Sequence, residues 1–180
     1  TKQATGLQFN DLAKYFKAGK NELEIKFEGL TEGLPYNLEI DWHSLTPPSA
    51  KDCPLRVQTN MARHSGRQGE TLRLSSKVTN TSDRDAPSAM AMIGIPSGLS
   101  LQPWQLKELL EKEKVASYEI FDNYLVLYYR NILSGKSSEI NLDLKAEVAG
   151  NYLAPASCAY LYYTPEYKQW IPGERVSIDY

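Results

Sequence analysis

The sequence is short of most residues that carry chemistry. It holds two histidines and two cysteines in 180 residues. Two cysteines, Cys53 and Cys158, cannot build a disulfide framework or a four-ligand zinc site. They leave two readings, a pair of free thiols or a single bridge. No apolar run approaches the ~18 residues that a membrane-spanning helix needs. Neither sign of charge dominates: 20 basic residues are interspersed with 22 acidic ones, for a net charge of -2. That excludes a basic field for nucleic acid or anionic lipid. His43 and His64 stand apart. "HSGRQGE" gathers His64, Ser65 and Glu70 in one loop, whereas a catalytic triad is drawn from separate parts of a fold. "GIPSG", residues 94–98, has neither the lysine nor the spacing of a phosphate loop. "SDRDAP" offers two aspartates, while calcium takes six or more oxygens. No enzymatic activity, cofactor or metal is expected. One short motif, Asn80-Thr81-Ser82, matches the N-glycosylation acceptor.

What is present is alternation. Leu23, Ile25 and Phe27 in "NELEIKFE" oppose Glu22, Glu24, Lys26 and Glu28. "PYNLEIDW" repeats this through Tyr36, Leu38, Ile40 and Trp42. Leu55 and Val57, then Leu72, Leu74 and Val78, then Ile140, Leu142, Leu144, Ala146 and Val148 do the same. "SAMAMIGI" is apolar on both faces, which predicts a central, covered strand. "YLVLYY", "CAYLYY" and "ERVSI" complete about ten strands separated by turn residues, the pattern of an antiparallel β-sandwich. "FDNY" and "LSGKSS" read as hairpin connections. Tyrosine is abundant, with 12 residues against four phenylalanines, and suits half-exposed sheet faces where the ring packs and the hydroxyl stays wet.

One helix interrupts the strands. Pro103 fits a first helical turn, where its missing N–H costs nothing. Leu106, Leu109 and Leu110 share one face over about 103–113; Lys107, Glu108, Glu111 and Lys112 share the other. The helix is expected to lie on a sheet with its charged side outward.

Organisation is marked by "SLTPPSAKD", residues 44–52, whose adjacent prolines stiffen the chain. Before it lie two strong strand patterns and one weak helical stretch, "FNDLAKYFKAG". Two strands do not make an independent sheet, so residues 1–50 read as part of a domain completed elsewhere. The opening "TKQATGLQFN" lacks a starting methionine and a signal-peptide core, which reads as a piece of a longer or processed protein.

The ordered series resembles the C-terminal end of the alpha-2-macroglobulin family. "LPYNLEIDWHSLTPPSAKDCPLRVQT" resembles the passage from a CUB domain into the receptor-binding macroglobulin domain. "SAMAMIGIPSGL" followed by one helix, then "FDNYLVLYYRNI", then "APASCAYLYYTPEYKQWIPG", resembles the body of that domain. The resemblance implies residues 1–50 as the C-terminal part of a split CUB domain and 51–180 as the receptor-binding domain. It implies a secreted or periplasmic parent that traps proteases, with this chain packing against the thioester domain and macroglobulin ring. No Cys-Gly-Glu-Gln motif occurs here, so thioester chemistry would belong to the rest of the parent. In animal members two lysines on and just before the helix bind an endocytic receptor. Gln102 stands near the earlier position and Lys107 about one position from the later. The recognition face to weigh is Lys107, Glu111, Lys112 and Lys114. The scarcity of cysteine is similar to that of a bacterial member. A second class of function, a β-sandwich adhesion or carbohydrate-binding module, would need an open platform among Tyr128, Tyr129, Tyr160, Tyr162, Tyr163 and Tyr167.

Overall fold

The computed structural model describes residues 8–17, 19–26, 37–41 and 43–180. The chain divides into two compact units, Thr1–Asp41 and Trp42–Tyr180.

In the first unit the described residues form one 3-10 turn, Leu12–Tyr15, entered through Asp11 in a left-handed conformation. Asn21 closes the following bend by accepting from the Lys17 amide and donating to the Lys17 and Gly19 carbonyls. The strands expected over 21–28 and 35–42 are not formed in their described parts, 21–26 and 37–41. Phe27, Tyr36 and Trp42 of that expectation lie outside the described residues. Leu23, Ile25, Leu38 and Ile40 are all exposed.

The second unit is the sandwich. Its strands in chain order are β1 Leu55–Met61, β2 Ser65–Arg67, β3 Thr71–Asn80, β4 Ala86–Gly94, β5 Leu99–Ser100, β6 Ser117–Phe121, β7 Tyr124–Ile132, β8 Ser137–Ala146, β9 Gly150–Leu153, β10 Ser157–Leu161, β11 Gln169–Ile171 and β12 Arg175–Asp179. One helix, α1 Pro103–Glu111, falls between β5 and β6. A four-stranded sheet has the order β1-β3-β8-β5, and a five-stranded sheet β11-β10-β4-β7-β6. A small third sheet, β2-β12-β9, includes the parallel pair β2–β12.

The alternation becomes the core directly. Leu55, Val57, Leu72, Leu74, Val78, Ile140, Leu142 and Leu144 line the inner face of the four-stranded sheet, each 2% exposed or less. Facing them are Ala89, Ala91, Ile93, Leu125, Leu127, Tyr129 and Ala159. Small residues on β4 and β10 face leucines on β3 and β8, so the layers interdigitate. Each fully buried leucine is worth about 2–3 kcal/mol relative to exposure. β4 is central, as its two apolar faces predict. β8 ends at Ala146 and leaves Val148, the last residue of its expected alternation, exposed.

"FDNY" makes the tight β6–β7 turn, with Asp122 left-handed at φ 49. "LSGKSS" does not make a hairpin. β7 belongs to the five-stranded sheet and β8 to the four-stranded one, so residues 133–136 cross between layers. Residues 81–85 make the same crossing from β3 to β4. One side chain ties these corners together. Asn80 is fully buried and donates from Nδ2 to the carbonyls of Arg84 and Ile132, while its Oδ1 accepts from the Ser82 amide and hydroxyl. Asp85 adds a second clasp, accepting from the Ser134 amide and from Asn131. The glycosylation signal at Asn80 is therefore closed in the folded domain: its acceptor nitrogen is inside and twice bonded.

The glycines of "GIPSG" answer close approaches. A Cβ on Gly94 would sit 2.0 Å from the Pro155 carbonyl oxygen, and one on Gly98 2.2 Å from the Tyr152 ring. Both contacts fix the β9–β10 connection and β9 against the main sandwich.

Replacing Asn80 by alanine is expected to cost about 2–3 kcal/mol, because the buried Ile132 carbonyl loses its side-chain donor, the Ser82 turn loses its acceptor and a void remains. Urea unfolding of wild type and N80A measures this; an unchanged midpoint would remove Asn80 as the corner tie.

Candidate functional site

Two surfaces of the second unit stand out: the outward side of α1 and the outer face of the five-stranded sheet.

α1 begins with Pro103 in its first turn after Gln102, and no side chain caps it. It ends two residues earlier than 113. The Glu113 amide donates to Leu110 and the Lys114 amide to Leu109, with Glu113 left-handed at φ 52. That is a Schellman closure with glutamate where glycine is usual. Leu106 and Leu109 face inward as expected, but Leu110 is 38% exposed. Its expected place is taken by Gln105, 7% exposed. Gln105 donates to the Asp143 carbonyl at 3.1 Å and accepts from the Asp143 amide at 2.8 Å. β5 covers only Ala146 and Lys145 of β8, so this one amide side chain continues the ladder where β5 stops. The helix is thereby fixed against the sheet edge.

Of the expected recognition residues, Lys107 and Glu111 stand exposed on the outward side of α1. Lys112 forms an i,i+4 ion pair with Glu108. Lys114 lies past the helix end, exposed. Gln102 is half-buried. The pattern reading missed Trp104, 61% exposed. It stands three, four and seven residues before Lys107, Glu108 and Glu111, on the same side of the helix. A large apolar residue outside the leucine stripe was its signal.

The two sheets have opposite outer faces. That of the four-stranded sheet carries Arg56, Gln58, Asn60, Arg73, Ser75, Lys77, Glu139, Asn141 and Asp143 in facing register. Arg73 holds Asp143 through two bonds of 2.7 and 2.9 Å, which lowers the Asp143 carboxyl. The outer face of the five-stranded sheet is apolar. Cross-strand rows run Trp170–Cys158–Met92–Val126–Glu119 and Tyr160–Met90–Tyr128–Ser117. Gly94, Tyr124 and Phe121 form a third row, with Phe121 63% exposed. Burial raises the Tyr128 phenol, with Glu119 and Tyr162 adding to it. Burial raises Tyr160, with Cys158, Tyr128 and Tyr162 adding. The phenols of Tyr128, Tyr160 and Tyr162 thus converge at one end of the face, where Lys168 lies 4.8 Å from the Tyr160 ring centre.

Tyr129, by contrast, is buried between the sheets. Tyr162 and Tyr163 are exposed but meet edge to face at 81°, so these two rings cannot stack on one flat ligand. His64 is committed to the Arg175 carbonyl, and Glu70 to the Arg67 amide and Arg63. Among the described residues no three His, Cys, Asp or Glu side chains are grouped to hold a metal ion, and no helix is long and apolar enough to cross a membrane.

Cys53 and Cys158 are free thiols and both buried. The Cys53 thiol donates to the Ala159 carbonyl at 3.5 Å. Burial pushes the Cys158 thiol up from an ordinary 9.0 to about 12 and raises Cys53 as well.

The fold defines a module of the β-sandwich class. Residues 85–170 match the sequence model of the A-macroglobulin receptor binding domain. That segment is therefore similar in sequence to a receptor-binding domain of the alpha-2-macroglobulin family. The fold of the chain is similar to the Salmonella alpha-2-macroglobulin mutant Y1175G, with a TM-score of 0.59 at 16% identity over 74% of this chain and 10% of that one. It is also similar to native Escherichia coli alpha-2-macroglobulin from domain MG7 to the C-terminus, at 0.59 and 14% over 74% of this chain and 25% of that chain. Trypsin-activated Escherichia coli alpha-2-macroglobulin gives 0.60 and 14%, over 74% and 11%. The chain spans between a tenth and a quarter of those chains. No curated protein matches it.

Two predictions follow from the geometry. Gln105→Ala is expected to destabilise the domain by about 1–2 kcal/mol and to speed hydrogen exchange at the Asp143 amide. Equal exchange in both proteins would show that the amide pairing does not hold the helix. A raised thiol pKa means that the unfolded state releases its proton first. Stability is then full below pH 9 and falls as pH rises toward 12. Urea midpoints should decline from about pH 9 in wild type and decline less steeply in Cys158→Ala, whose remaining alkaline loss comes from Cys53 and the raised phenols, buried Tyr129 foremost. A flat wild-type profile to pH 11 would contradict this.

Proposed function

We propose that this chain is the non-enzymatic C-terminal module of an alpha-2-macroglobulin-like thioester protease trap, an endopeptidase inhibitor. Residues 51–180 act as its receptor-binding macroglobulin domain, and residues 1–50 as the closing part of a split CUB domain. The observation that carries the reading is the contrast between the two outer faces. A polar face on one sheet is made for water. An apolar, aromatic face on the other is made to be covered by a neighbouring domain. The family match and the likeness to bacterial alpha-2-macroglobulins support the thioester domain and macroglobulin ring of the parent as those neighbours. The exposed apolar alternation of Leu23, Ile25, Leu38 and Ile40 supports a first unit that is completed by strands from elsewhere in the parent.

On this reading the parent is secreted or periplasmic. Cleavage by a target protease collapses it, and the thioester captures the attacker. This module then leaves its packed position and turns its helix outward. The outward side of α1, with Trp104, Lys107, Glu111, Lys112 and Lys114, is the recognition face of that state. With Glu108 and Glu113 beside them, three lysines meet three glutamates, which favours contact through Trp104 over steering by a positive field.

The experiment uses the full-length parent. It is incubated with trypsin, with and without prior methylamine treatment, and resolved on a denaturing gel. A covalent parent–trypsin adduct that methylamine abolishes is the expected result. Degradation without any adduct would overturn the trap reading.

A further inference from the structure

β11 is three residues long and lies at the edge of the five-stranded sheet. It pairs on its inner side with β10, Trp170 opposite Cys158. On its outer side the partner is not a strand. The Trp170 amide donates to Ser49 Oγ at 2.8 Å, and the Ser49 hydroxyl donates back to the Trp170 carbonyl at 3.2 Å. The Ala50 amide donates to the Lys168 carbonyl at 2.8 Å. The chain then turns, the Cys53 amide meeting the Ala50 carbonyl, and is anchored by the buried Cys53 thiol on the Ala159 carbonyl. Gln169 accepts from the Val57 amide of β1 at 2.6 Å and also donates to the Trp170 carbonyl at 3.0 Å, so the Trp170 amide is the group that rests on Ser49 alone.

β11 carries Trp170, and Lys168 just before it sits over Tyr160. Cys158, between Met92 and Trp170, is 0% exposed. A three-residue edge strand has few ladder bonds of its own, so its closure depends on the groups bonded to its outer side. Pro47 and Pro48 stand directly before Ser49 and make that segment stiff, so a displacement of the chain there reaches Ser49 instead of being absorbed.

We propose that residues 49–53 are a strap that holds β11 down over the outer face of the five-stranded sheet, and that release of Ser49 from Trp170 opens this face at Cys158 and Tyr160. The device converts the position of the proline segment into exposure of the aromatic face. It stands on hydrogen bonds within this chain and does not depend on the protease-trap reading.

The test is made on the full chain. Wild type, Ser49→Ala and Ser49→Thr are treated with iodoacetamide, and alkylation of Cys158 is followed by peptide mass. Hydrogen exchange is followed over 168–171 and, for comparison, over β8. Ser49→Ala is expected to alkylate Cys158 about tenfold faster, the scale of losing one or two net hydrogen bonds from a local opening equilibrium. Exchange at 168–171 should quicken while β8 is unchanged. Ser49→Thr keeps the oxygen and should behave as wild type. Leu142→Ala in the opposite sheet serves as a global destabiliser. Unchanged alkylation in Ser49→Ala would overturn the strap. So would a rise in alkylation no greater than global unfolding explains, as gauged by Leu142→Ala. Loss of protection in β8 equal to that at 168–171 would overturn it as well.

Discussion

Neither main sheet closes on itself, so every edge strand leaves peptide groups that must be bonded or left to water. In this domain the critical edges are completed by side chains. Gln105 reproduces the donor and acceptor of a strand residue against Asp143, and in doing so sets where α1 can lie. Gln169 satisfies the Val57 amide at the β1 edge, and Ser49 both peptide groups of Trp170 at the β11 edge. Single side chains can do this because each carries a donor and an acceptor on short, orientable stems. The consequence is that helix, linker and short edge strand are all positioned by pairs of hydrogen bonds. The leucine core supplies the bulk of the stability and says little about where these elements sit.

The core itself is one-sided in its demands. Between the sheets, leucines from one layer meet alanines from the other, and the space is filled. Outside the four-stranded sheet, charges pair across strands. Outside the five-stranded sheet, tyrosines, methionines and a thiol share rows with a single carboxylate, Glu119. Cys158 and Val126 within these rows are nevertheless buried. The free thiols fit this arrangement. Each is held protonated by burial, which keeps it poorly nucleophilic, and Cys53 also serves as a hydrogen-bond donor inside the strap.

Much of the sandwich was legible because period-two alternation encodes a face, and long strands repeat it often enough to be read. β3, β8 and the doubly apolar β4 fall in this class. β2, β5, β9 and β11 were not legible, since two to four residues carry no period. Their existence depends on what lies beside them. Gln105 could not be read as a buried residue because its role is a bond to a strand 38 positions later. The reason for the "GIPSG" glycines is the approach of Pro155 and Tyr152, which no local pattern announces. "LSGKSS" had the composition of a hairpin and became a crossing between sheets. Turn residues report that the chain bends and are silent on which strand it joins. The helix surface was legible in its charges and not in Trp104, because a pattern of paired lysines and glutamates draws the eye to the charged stripe.

The same code gave opposite outcomes in the two units, and that contrast says what alternation does and does not specify. Leu72 and Leu74 are 0% and 1% exposed, while Leu23 and Ile25, spaced identically, are 53% and 46% exposed. The local sequences are equally strand-like. What differs is the layer opposite: Leu72 and Leu74 pair with Leu144 and Leu142 and face β4 and β7. Among the described residues Leu23 and Ile25 have no such layer. An isolated alternating segment gains too little from local propensity to fix its backbone, so it becomes a strand only when neighbours bury its face. The apolar outer face of the five-stranded sheet makes the same demand at the scale of a whole layer.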